Sequence, residues 1–94
     1  MKMSDSISYI AGFIRKYGTR GKSDVYVLDM GGIPYTKCGK TIRIDRFMVS
    51  GETVYIKYGK GVNGNSRTIR LSMFDKPKEI AKMESLFRFY NKRE

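Results

Sequence analysis

The sequence predicts an α+β fold: an antiparallel sheet of 3–5 strands, with an N-terminal helix and a C-terminal helix packed on it. Three observations carry this. Residues 41–74 alternate between apolar and polar side chains, the period of half-buried strands. Residues 5–17 and 76–91 repeat apolar residues at helical spacing instead. The chain has 94 residues, enough for one core but not two, so residues 1–94 form a single small basic domain. A small β-barrel with a C-terminal helix is the alternative, because sequence does not fix closure.

The first helix rests on Ile7, Ile10, Ala11, Phe13, Ile14 and Tyr17, which share one arc. Asp5 or Ser6 is expected to cap its start, and Gly18 to end it in a left-handed conformation. Residues 15–23, "RKYGTRGKS", form a loop bearing Arg15, Lys16, Arg20 and Lys22. Residues 25–30, "VYVLDM", read as a strand. Gly31-Gly32 suggests a tight hairpin returning through "IPYTK", where Pro34 marks an edge.

The segments "TIRIDRFMV", "ETVYIKY" and "RTIRLSMF" give the three clearest strands. Ile42 and Ile44, then Val54, Ile56 and Tyr58, then Ile69, Leu71 and Met73 make one apolar face. Arg43, Asp45, Tyr55, Lys57, Thr68, Arg70 and Ser72 make the opposite one. Arg46 breaks the alternation, which marks a bulge or the end of core contact. The last helix takes Asp75 as its cap and Pro77 in its first turn. Its buried stripe is Ile80, Met83, Leu86, Phe87 and Tyr90, while Phe89 points outward.

"YGKGVNGNSR", residues 58–67, spaces Gly59, Gly61 and Gly64 as G-x-G-x-x-G. A dinucleotide loop needs a helix after the third glycine, to meet the pyrophosphate with free N–H groups. Here a strand follows, and the chain is too short for the remaining parts of a kinase. "CGKT" at residues 38–41 fails as a Walker loop, since Pro34 stands where the earlier glycine belongs. The hairpin reading survives. With Asn63-Gly64 at the corner, Lys60 faces Arg67, Tyr58 faces Ile69, Ile56 faces Leu71 and Val54 faces Met73.

Cys38 is the sole cysteine, which excludes an internal disulfide; a buried, reduced thiol is expected. With no histidine, a four-ligand zinc site is excluded, and no cofactor or metal is expected. The carboxylates are scattered, so a non-catalytic role is expected. No secretory signal or membrane span is apparent, and the expected setting is the reducing cytoplasm.

Lys and Arg total 19 against nine Asp and Glu, a formal charge of +10. An excess this large is tolerated most readily beside an anionic partner. The leading expectation is a nucleic-acid-binding domain that contacts the backbone of DNA or RNA. Arg43, Tyr55, Lys57, Lys60, Arg67 and Arg70 would form one continuous surface, with Phe47 as a second stacking ring. Arg15, Lys16, Arg20 and Lys22 would extend it. The alternative is a small inhibitor or adaptor, of the kind phages and mobile elements use, docking on the acidic surface of a protein. A basic subunit of a ribonucleoprotein or virion is a third option.

Overall fold

In the computed structural model, residues 3–61 and 64–92 are described. Helix α1 (Met3–Tyr17) leads into a very short strand β1 (Thr19–Arg20), followed by β2 (Tyr26–Lys37), β3 (Lys40–Ser50), β4 (Thr53–Lys60) and β5 (Ser66–Arg70). Helix α2 (Pro77–Lys92) closes the order. The five strands form one open antiparallel sheet in sequence order, so the α+β expectation holds and the barrel does not form. Among the described residues, no helix is long and apolar enough to cross a membrane.

Both helices cover the same face of the sheet. Ile10, Ala11 and Ile14 of α1 and Ile80, Met83 and Phe87 of α2 join Ile42, Ile44, Phe47, Val49, Val54 and Ile56 in the core. Phe87 ties the layers together: its ring lies 4.8 Å from Phe13 of α1 and 5.5 Å from Phe47 of β3. Phe47 is only 2% exposed, so it is a core side chain and not the stacking ring expected of it.

The buried side of α2 is rotated from the expected stripe. Leu86 (61% exposed) and Tyr90 (58%) face outward, and Glu84 (4%) is buried in their stead. The cause is α1. The Ser6 hydroxyl donates to the Glu84 carboxylate, and Arg88 Nε donates to the same group at 2.5 Å. Tyr17 donates to Asn91 Oδ1 at 2.8 Å, and Asn91 Nδ2 donates to the Tyr9 hydroxyl at 3.2 Å. Burying a carboxylate is tolerable only with such partners. Ser6 therefore bonds across the helices and does not cap α1, which already begins at Met3.

Several local expectations change. Gly18 is not left-handed; it is required because a Cβ there would stand 2.6 Å from the Ile14 carbonyl oxygen and 2.7 Å from that of Val27. Asp75 accepts from the Lys76 N–H (2.8 Å) and from the Tyr35 hydroxyl (2.9 Å), and is spent on the sheet rather than on the helix. Gly31-Gly32 does not turn the chain. It forms a bulge inside one long strand, with the register stepping between Asp29 and Ile33. Among the described residues, the Ile33–Lys37 half of β2 has no partner on its outer side, so Pro34 does sit on an edge.

A second register step, between Ile44 and Arg46, leaves Asp45 as the extra residue of β3. That bulge lets Ile42 and Ile44 before it, and Phe47 and Val49 after it, all face the core. The last expected strand is also shorter. It ends at Arg70, and Leu71–Met73 form a 3-10 turn that buries Leu71 and leaves Met73 73% exposed.

The β4–β5 pairing differs from the expected one by two residues. Ile56 faces Ile69, Lys57 faces Thr68, Tyr58 faces Arg67 and Tyr55 faces Arg70. A two-residue slip preserves which face each side chain occupies, so alternation cannot detect it. The expected Lys60–Arg67 juxtaposition does not occur. Gly64 N–H donates to the Lys60 carbonyl (2.8 Å), and Gly61 is left-handed at φ 56°. The Asn63 position of the expected corner lies outside the described residues.

Candidate nucleic-acid interface

Directly opposed residues in an antiparallel ladder share a face. By that rule, the face away from the helices carries rows running across the strands. One row holds Val27, Met48, Tyr55 and Arg70, and the next holds Asp29, Arg46, Lys57 and Thr68. A third holds Pro34, Arg43, Gly59 and Ser66. Arg46, Lys57 and Arg70 thus project from three neighbouring strands on one side, next to the half-buried ring of Tyr55.

Lys60 and Arg67 do not join that surface. They oppose Ile42 and Tyr58, so they stand on the helix side, at the end of the sheet beyond the core. Lys37 and Lys40 oppose each other at the same end, flanking the Cys38-Gly39 turn. A groove of about 340 Å³ is lined there by Lys37, Cys38, Lys40, Thr41, Ile42, Tyr58 and Lys60. Lys37 Nζ lies 5.4 Å from the Phe74 ring centre. Cys38 is exposed, contrary to expectation, at a left-handed φ of 51° in the turn. The single expected surface is therefore two cationic regions, one on each side of the sheet.

Arg43 has a different task. Its Nε donates to Asp45 Oδ1 (3.1 Å), Nη1 to the Gly61 carbonyl (2.8 Å), and Nη2 to the Gly64 carbonyl (2.8 Å) and Ser66 Oγ (3.0 Å). Ser66 Oγ in turn donates to Asp45 Oδ2 at 2.9 Å. A planar guanidinium suits this, because its fixed fork satisfies several backbone acceptors at once. The guanidinium occupies the space a Cβ of Gly59 would need, with Nη2 2.5 Å from that position. The three glycines of the G-x-G-x-x-G spacing are thus the seat of one arginine. Gly59 gives it room, and Gly61 and Gly64 offer it carbonyls.

The second expected patch is largely committed within the molecule. Arg15 donates to the Gly51 carbonyl, and Arg20 pairs with Asp24. Lys16 reaches Asn91 (3.4 Å) and lies 5.0 Å from the Tyr17 ring centre. Lys22 is exposed in a turn whose next two residues, Ser23 and Asp24, are left-handed. Among the described residues, the other ion pairs are Arg43–Asp45, Lys82–Glu79 and Arg88–Glu84, so Arg46, Lys57, Lys60, Arg67 and Arg70 have no carboxylate partner there.

Three cations of these regions were not among the expected contact residues: Lys37, Lys40 and Arg46. The signal for Arg46 was present, since a bulge at Asp45 returns it to the outer face. Among the described residues, no group of Cys, Asp and Glu side chains gathers to hold a metal ion. Compared with known protein families, with curated proteins and with solved structures, the chain finds no match in any of the three.

Proposed function

We propose that the protein binds nucleic acid through the outer face of its sheet, holding the phosphate backbone with little selection among bases. One observation carries the reading: Arg46, Lys57 and Arg70 extend from adjacent strands on one face, none paired with a carboxylate among the described residues, beside the ring of Tyr55. Each such cation displaces condensed counterions when it meets a phosphate, which makes affinity strong and salt-dependent. Tyr55 offers a surface on which an unpaired base stacks, worth ~1–3 kcal/mol per base. The groove at the sheet end, with Lys37, Lys40 and Lys60, gives a bound strand a place to continue around the edge.

The test is binding to single- and double-stranded DNA and RNA as salt is varied. The reading expects affinity to fall steeply with rising salt. Folded protein that binds none of the four at ~50 mM salt overturns it.

A second reading, an adaptor that docks on an acidic protein, draws on α2. Leu86 and Phe89, 61% and 56% exposed, stand on its outer side with Tyr90. Capture of a partner that survives nuclease treatment favours this reading over the first.

A further inference from the structure

We infer that the outer face holds a discrete nucleotide site, with the phosphate bound between Arg46 and Lys57. This rests on the nucleic-acid reading for the source of the ligand, but it specifies one pocket where that reading asks only for a charged surface. Between the glycine bulge of β2 and the β4–β5 loop lies a cleft of about 520 Å³, lined by Gly31, Gly32, Pro34, Arg43, Asp45 and Gly61 among others. Volumes of ~300–1,000 Å³ suit small ligands, and one nucleotide fits within that range.

Among the described residues, two cations of this cleft make no ion pair. Arg46 and Lys57 are directly opposed across β3 and β4, and both line it. Like charges so placed repel, and an anion between them reverses the sign of the interaction. Arg46 Nε is shut away from solvent and has no acceptor among the described residues. A buried donor without a partner is rare in a folded chain, and a turn of the guanidinium toward the cleft would bring Nε to a phosphate oxygen, an acceptor it otherwise lacks.

The acids in the cleft do not fill that role. Asp45 is taken by Arg43 and Ser66. Asp29, although opposite Arg46, turns one oxygen to the Gly31 N–H at 2.8 Å and forms no ion pair among the described residues. Its remaining lone pairs face a ligand as acceptors. Inorganic phosphate brings them only its own one or two O–H groups, whereas a nucleotide adds sugar hydroxyls and base N–H groups. The cleft therefore favours a nucleotide over inorganic phosphate, and both over an uncharged nucleoside.

The experiment is an NMR titration of the intact chain, following the Arg46 Nε–H signal, with inorganic phosphate, a nucleoside 5′-monophosphate and the matching nucleoside. The expected result is saturable movement of that signal with the monophosphate, at several-fold lower concentration than with phosphate, and no movement with the nucleoside. Arg46→Gln and Lys57→Gln should each weaken monophosphate binding about tenfold. Lys57→Gln keeps the test open if the first variant does not fold. Movement spread evenly over all lysine-bearing segments, or an Arg46 signal that stays still, overturns the site.

The two proposals fail separately. Oligonucleotide binding that ignores Arg46→Gln defeats the pocket and leaves the wider reading standing. Monophosphate binding without oligonucleotide binding does the reverse.

Discussion

The Arg43 guanidinium lies against the bare Cα of Gly59, with Nη2 2.5 Å from where a Cβ would be. An alanine at Gly59 therefore forces Arg43 aside and breaks its bonds to Gly61, Gly64 and Ser66 together. Gly59→Ala should cost about 1–2 kcal/mol in denaturant unfolding and speed amide exchange in the β4–β5 loop. Combined with Arg43→Ala, the two costs should add to less than their sum, since both remove one clamp. Full additivity would show that the contact holds nothing.

Gly64 and Gly12 make a contrasting pair. A Cβ on Gly64 would overlap the Lys60 carbonyl oxygen, which is backbone and cannot step aside. Gly64→Ala should destabilise by about 2 kcal/mol or more. Gly12 sits within α1 with nothing within 4 Å of its added Cβ. Gly12→Ala should stabilise the protein by about 0.5–1 kcal/mol through helix propensity alone. Thermal or urea midpoints moving in the same direction for both would contradict the structure.

Acid should loosen the contact between the helices. The Arg88 and Ser6 hydrogen bonds hold the Glu84 carboxyl below its ordinary range, against the opposing effect of burial. A depressed folded-state pKa means the unfolded chain takes up the proton first. Glu84 thus contributes stability that is fully present above the ordinary glutamate value of about 4.3, and lost as pH falls through the lower folded value. Unfolding free energy measured from pH 7 to pH 3 should drop less steeply in Glu84→Gln than in the parent chain. Parallel curves would remove Glu84 from the account.

Salt titrations should separate the cations of the outer face from those spent elsewhere. Lys57→Gln and Arg70→Gln should each lower the slope of log affinity against log salt by about 1 for an oligonucleotide. Lys82→Gln, on α2 and paired with Glu79 at 3.4 Å, should leave it unchanged. Equal effects at all three positions would mean that net charge alone drives association.

Periodicity made both helices, the strands β3, β4 and β5 and the sidedness of the sheet readable in advance, because each follows from where apolar residues recur. What it left open has specific causes. Alternation fixes β4–β5 pairing only to within two residues, and Ile56 finds an apolar partner in either register. Two adjacent left-handed glycines serve a turn or a bulge equally well. Gly31-Gly32 became a bulge because β3 continues beside it on both sides.

The rotation of α2 was hidden by treating Glu84 and Asn91 as polar and hence exposed. Both lie next to Ile80 and Phe87 around the helix, and their partners Ser6, Tyr9 and Tyr17 come from α1, far away in sequence. The candidate site was half legible. Tyr55, Lys57 and Arg70 share a face as alternation requires, whereas Arg46 was displaced from view by the extra residue at Asp45, and Arg43 was credited with an openness that the loop takes up.

The tip of the β2–β3 hairpin has a practical consequence. Cys38 is the one sulfhydryl in the chain, and it is exposed on the wall of the lysine-lined groove. A maleimide dye or nitroxide would attach there without any engineering of the chain. It would report from within a few side chains of Lys37, Lys40 and Lys60, so an arriving polyanion would be recorded as quenching or line broadening at one known position.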